Sequence, residues 1–134
     1  MKLEKTSYIV LTILIAALLY SCASIGRPTG GNKDIDPPVF TGSNPAPNST
    51  NVKNQSIVLH FNEYIVLKDQ STKVVVSPAQ KENPSIRANG KRINIELRDT
   101  LIPNTTYSID FSDAIQDNNE NNPIQGFSFA FATG

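Results

Sequence analysis

Four segments of this chain alternate apolar and polar side chains with a period of two, and from Val39 onward no stretch of useful length carries a helical period. In 56–62, Ile57, Leu59 and Phe61 share one face against Ser56, Val58, His60 and Asn62. In 91–98, Ile93, Ile95 and Leu97 oppose Arg92, Asn94, Glu96 and Arg98. In 106–112, Tyr107, Ile109 and Phe111 oppose Thr106, Ser108, Asp110 and Ser112, and in 127–132 Phe127, Phe129 and Phe131 oppose Ser128, Ala130 and Ala132. Successive side chains of a strand point to opposite faces, so this pattern describes half-buried antiparallel strands. The twelve inward residues so defined form the expected core.

The joints between these segments carry turn chemistry. Pro78, Pro84, Pro103 and Pro123 lack the N–H that a central ladder needs and mark loops. Asn89-Gly90 separates Ser85–Ala88 from Lys91–Arg98, and Asn-Gly readily supplies the two positive φ angles of a type I′ hairpin. A β-branched run at Lys73–Ser77 and an opening at Val39-Phe40 complete the set. About seven short strands in roughly 100 residues describe an all-β, antiparallel β-sandwich.

The start of the chain is of another kind. Lys2 and Lys5 precede an apolar run, Ile9 to Leu19, which ends at Leu19-Tyr20-Ser21-Cys22. The run is short of the ~20 residues that cross a bilayer core and matches the ~7–15 residues of a secretory h-region. Leu19-Tyr20-Ser21-Cys22 resembles a bacterial lipobox, with a small residue directly before a cysteine. That resemblance implies cleavage after Ser21 and acyl chains on the sulfur and amine of Cys22. It divides the chain into a lipoprotein signal peptide (1–21), an acylated cysteine with a flexible linker (22–36) and a β-sandwich domain (37–134). The linker contains Gly26, Pro28, Gly30 and Gly31; fourteen flexible residues would span roughly 20 Å. Cys22 is the only cysteine, so no disulfide can form within the chain and the domain must stand on its core.

Charge narrows the partners. Twelve basic and twelve acidic side chains cancel, and removing Lys2, Lys5 and Glu4 with the leader changes the balance by one. No basic stripe is present to neutralise phosphates, which argues against nucleic acid.

The order of the segments resembles the bacterial Ig-like domain of the S-layer (SbsA) type, as found at the N-terminus of Bacteroidetes lipoproteins. The residues that carry it are Pro37-Pro38-Val39 with Asn44-Pro45, Ile57–Glu63, Val74–Pro78, Leu101–Tyr107, Asp117–Asn121 and Phe127–Gly134. The resemblance implies a non-enzymatic module with a structural, spacer or protein-interaction role in the cell envelope. It also implies attachment to the outer membrane through palmitate or similar chains, and a protein or envelope-polymer partner it does not name. Such modules often precede further domains, which leaves room for a natural protein longer than Gly134. Surface-exported relatives carry acidic residues after the cysteine, whereas Ala23–Arg27 has none; the periplasmic face is therefore favoured over the cell surface. The alternative is a surface adhesin or glycan-binding module, with or without calcium.

Few residues could carry chemistry. His60 is the only histidine and lies on the polar face of its strand, with no nucleophile-elbow glycines around any serine; catalysis is not expected. One histidine and one acylated cysteine cannot furnish a zinc site, and no cofactor is expected. Asp113, Asp117, Asn119 and Glu120 lie in an oxygen-rich stretch of the kind calcium favours, but the spacing is not that of an EF-hand. The competing reading of 113–122 is a long hairpin turn in which Asp and Asn bond their own backbone. Asp99-Thr100-Leu101 resembles a Bacteroidetes O-glycosylation acceptor, with Thr100 as the modified residue.

Overall fold

The computed structural model describes residues 2–19, 26, 28 and 30–134. It forms two compact units, Met1–Asn32 and Lys33–Gly134. In the first, α1 (Lys2–Leu19) is a single helix; no helix among the described residues is long and apolar enough to cross a membrane. Ser21 and Cys22, where cleavage and acylation are expected, lie outside the described residues.

The second unit begins at Lys33, four residues ahead of the expected start at Pro37. Its strands are β1 (Phe40–Asn44), β2 (Ser56–Phe61), β3 (Ile65–Leu67), β4 (Val75–Ser77), β5 (Ser85–Asn89), β6 (Arg92–Glu96), β7 (Thr106–Ser112), β8 (Ile115–Asp117) and β9 (Phe127–Ala132), with one helical turn, α2 (Gln70–Lys73), before β4. One sheet has the order β1-β2-β6-β5, a second β4-β7-β9, and β3 pairs with β8 alone. Every pairing is antiparallel. The all-β, antiparallel architecture is thus the expected one, with nine strands in place of about seven.

The alternation seen in the sequence is what positions the core. Ile57 faces Ile95 and Leu59 faces Ile93 across β2 and β6, while Tyr107 faces Phe131 and Ile109 faces Phe129 across β7 and β9. These inner faces merge into one buried cluster. Directly opposed apolar pairs are the unit of sheet stabilisation, and a one-residue slip would turn every one of them to solvent. Tyr107 stacks on Phe131 with ring centres 5.2 Å apart. Its hydroxyl accepts the N–H of Ile102 at 2.9 Å, a tyrosine-corner arrangement that fixes the crossover into β7.

Eleven of the twelve expected core residues are buried, and Phe127 is only half-buried. The cause is a bulge in β7: Asp110 pairs with Ser128 but Ser112 pairs with Phe127, so Phe111 is an extra residue. Ser112 adopts a positive φ of 51° and donates its N–H to the Asp110 carboxylate at 2.8 Å. Phe127 packs at the rim instead, 5.4 to 5.8 Å from the rings of Phe40, Phe61 and Phe111.

Three local expectations shift. The β5–β6 turn is centred on Gly90-Lys91 rather than Asn89-Gly90, because Asn89 pairs with Arg92. Of the residues at this turn only Gly90 has a positive φ, 63°, which fits a type II′ turn, whereas a type I′ turn needs a positive φ at both central residues. Lys73 leaves the expected strand to close α2, where its ammonium meets Asp113 at 2.8 Å and Asp69 at 3.8 Å. The stretch 113–122 is not one long turn, since β8 occupies its middle.

Phe129 is 2% exposed and Ser128, its neighbour, faces solvent. Phe129→Ser should lower unfolding stability by about 3–5 kcal/mol, while Ser128→Phe should change it by no more than about 0.5 kcal/mol. Coincident urea midpoints for the two variants would contradict the register.

Candidate functional site

Asp117, Asn119, Glu120 and His60 fall at one end of the sandwich, where the segment 62–65 runs between two loops. On one side the N–H of Asn118 donates to the Tyr64 carbonyl at 2.9 Å; on the other the N–H of Ile65 donates to the Gly90 carbonyl at 3.0 Å. The 117–122 loop and the β5–β6 turn are thereby sewn to the same four residues.

Asp117 governs the first loop. It ends β8 with 1% of its surface exposed. Its Oδ1 accepts the N–H groups of Asn119, Glu120 and Asn121 at 2.9, 2.6 and 3.2 Å, and its Oδ2 accepts that of Asn122 at 2.6 Å. Burial alone would push this carboxyl up, but the backbone donors of Glu120, Asn122, Asn119 and Asn121 outweigh it and hold it below the ordinary carboxylate range. A carboxylate offers about four lone-pair positions. Four donors already meet them, so a cation here would have to displace the bonds that shape the loop.

The lead-in segment closes over this end. Asn122 donates its side-chain amide to the carbonyls of Asp34 and Asp36 at 3.0 and 3.4 Å, and Val39 donates its N–H to the Asn62 side chain at 2.7 Å. Acidic groups gather as a result. The Glu63 carboxyl is pushed up, first by burial and then by the charges of Asp117, Asp34, Glu120 and Asp36.

The four calcium candidates do not come together as the sequence grouping implied. Asp113 precedes β8 and pairs with Lys73, which holds its carboxyl low through that hydrogen bond. Asp117, Asn119 and Glu120 belong to the loop beyond β8, where the last two contribute backbone N–H groups. Among the described residues no group of three or more His, Cys, Asp or Glu side chains is placed to hold a metal ion.

Thr100 is exposed in the connection after β6. The Asp99 carboxylate beside it accepts the N–H groups of Lys81 and Glu82 at 2.6 and 3.0 Å, and these bonds hold it below its usual range. Gln55 reaches across to the carbonyls of Leu97 and Asp99 at 3.0 and 2.6 Å. Asp99 is thus a clamp between loops, a role that a tripeptide pattern does not reveal.

His60 is exposed on the outer face of β2. Antiparallel register sets it opposite Arg92 on β6 and Gly42 on β1. With Lys91 and Tyr64 these residues line a shallow concavity of about 700 Å³ beside the β5–β6 turn. Reading the sequence one segment at a time missed this grouping, because its members come from β1, β2, the 62–65 segment and the hairpin.

Asp117→Ala should lower stability at neutral pH by more than about 2 kcal/mol, since it strips a charged acceptor from four N–H groups. A carboxyl held low when folded contributes stability above its unfolded value, about 3.9, and that contribution is lost as pH falls through the folded value. Urea unfolding from pH 6 to pH 2 should therefore show a shallower acid slope in the variant. Parallel slopes would assign the acid sensitivity to other carboxylates.

Residues 34–133 match the family described as bacterial Ig-like domain. Among solved structures, the chain is similar to PcoC, a methionine-rich copper resistance protein from Escherichia coli, at 21% identity and a TM-score of 0.49, over 70% of this chain and 95% of that one. It is also similar to the N-terminal part of the bacterial S-layer protein SbsC, at 14% identity and a TM-score of 0.43, over 70% of this chain and 23% of that one. No curated protein matches. With the match spanning nearly the whole Lys33–Gly134 unit, the chain belongs to the family of bacterial Ig-like domains.

Proposed function

We propose that this chain is an outer-membrane lipoprotein whose Ig-like domain acts as a structural, spacer or protein-interaction module of the cell envelope and performs no catalysis. The observation that supports this reading is the sequence of parts: a charged, apolar leader closing on Ser21-Cys22, then a short Gly/Pro-containing stretch, then a self-contained sandwich from Lys33. A domain with its own buried cluster needs nothing from the leader to fold. More than one acyl chain is needed for stable anchoring, since a single chain binds only marginally. The lack of acidic residues in Ala23–Arg27 favours the periplasmic face.

Mass spectrometry of the purified chain tests the anchor. The expected N-terminal peptide begins at Cys22 and carries acyl mass, and Cys22→Ser should move the protein from the membrane fraction to the soluble one. An N-terminus at Met1 with the protein still in the membrane would sink the lipoprotein reading. Protease treatment of intact cells then separates the two faces: survival until the outer membrane is broken supports the periplasmic side, and digestion of intact cells favours a surface adhesin.

A further inference from the structure

We propose that the concavity on the outer face of the four-stranded sheet binds an acidic saccharide, with Arg92, Lys91 and His60 meeting its anionic group and Tyr64 supporting a sugar ring. The site follows from strand register. Gly42, His60, Arg92 and Asn89 form one continuous row across β1, β2, β6 and β5, because each is paired with the next. Directly opposed residues share a face of the sheet, so these side chains project together into solvent. The next row carries Asn44, Val58, Asn94 and Arg87. The first carboxylate on this face is Glu96, two rows away beside Ser56 and Ser85.

Three features make the row a concavity rather than a flat patch. Gly42 has no side chain, and a Cβ built there would meet nothing within 4 Å, so the space in front of His60 is open. Tyr64 forms a wall at one end, 62% exposed. The Lys91 ammonium lies 5.6 Å from the centre of the Tyr64 ring and also donates to the Asn62 carbonyl at 3.1 Å, which steadies both side chains. No Asp or Glu lines the concavity. Glu63, next to Tyr64, sits instead in the field of Asp117, Asp34, Glu120 and Asp36. A protein of zero formal net charge thus presents a purely cationic trough.

The lining decides the ligand class. A guanidinium fork suits a planar carboxylate or a tetrahedral acid group. Thr41 and Asn89 add a hydroxyl and an amide along the trough, matched to a ligand rich in hydroxyls. The trough crosses the strands on an outer face instead of following an unpaired edge, so it does not offer the main-chain ladder an extended peptide would use. Two cationic side chains, Lys91 and Arg92, are too few for the phosphate density of a nucleic acid duplex. An acidic sugar chain supplies an anionic group, ring faces and hydroxyls together.

The test uses the full isotope-labelled chain in detergent micelles, titrated by NMR with oligogalacturonate, with neutral cello-oligosaccharide, with inorganic phosphate and with a short DNA duplex. Oligogalacturonate should bind saturably and shift the amides of Gly42, His60, Tyr64, Lys91 and Arg92, weakening several-fold between about 50 mM and about 200 mM salt. The double variant Lys91→Ala/Arg92→Ala should lose about tenfold or more in affinity. Gly42→Leu should weaken binding while leaving every charge in place, which covers the case in which the double variant does not fold. Absence of saturable binding, unchanged affinity in folded Lys91→Ala/Arg92→Ala and Gly42→Leu, or equal binding of the neutral oligosaccharide would each overturn the proposal. Phosphate alone binding as tightly at the same amides would overturn the saccharide assignment in favour of a simple anion site, and tighter binding of the duplex would overturn it in favour of nucleic acid.

Discussion

With one cysteine in the whole chain, no covalent bridge within it can hold this domain, and its architecture depends on the register of two sheets. Ile57 against Ile95, Leu59 against Ile93, Tyr107 against Phe131 and Ile109 against Phe129 set that register. Each pair is buried only while the others are, since a slip by one residue exposes the whole row. A domain of about 100 residues has little margin, so the cooperative all-or-none character of this packing is what makes a unique fold possible. The same register, on the opposite faces of the same strands, aligns Gly42, His60, Arg92 and Asn89. Core and trough are two sides of one constraint.

Around this core, side chains take over the hydrogen bonds that loop backbones cannot give one another. Asp117 satisfies four N–H groups of its own loop, Asp99 two of the 81–82 turn, and Tyr107 that of Ile102. Thr133 accepts the N–H of Thr105 and donates to the carbonyl of Ile102 at the far end of the chain. Ionised acceptors make stronger bonds than neutral ones, which is why Asp serves where several donors converge. Oxygen-rich loops of this kind invite a metal-site interpretation from sequence. Here both oxygens of Asp117 accept N–H groups of the same loop.

What could be read beforehand divides along a physical line. Long strands with one wet face announced themselves through alternation, and β2, β6, β7 and β9 start and stop within two residues of the expected segments. β3 and β8 gave no such signal. They are three residues each, and all of Ile115, Gln116 and Asp117 are buried, so no polar face exists to produce a period of two. The hairpin turn slipped by one position because Asn89 was worth more as a paired strand residue than as a turn residue, leaving Gly90 to supply the positive φ. Phe127 escaped full burial through a bulge that depends on Asp110 and Ser112 rather than on hydrophobicity. The grouping of the cationic trough required pairing partners that single segments do not encode.

Net neutrality conceals a sharp charge separation. Segment 62–65 lies between the acidic 117–122 loop with its lead-in carboxylates and the cationic β5–β6 turn. At physiological salt, exposed charges are screened beyond about 8 Å, so a ligand arriving from solution senses the nearest patch and not the sum. The acidic side repels an anion that approaches over the loop, which favours approach across the sheet face. The Glu63 carboxyl is displaced upward, first by burial and then by that acidic field. Asn118 and Ile65 bind the two patches to the same short segment. The acidic loop is thereby tied to the backbone of the residue that forms the aromatic wall of the trough.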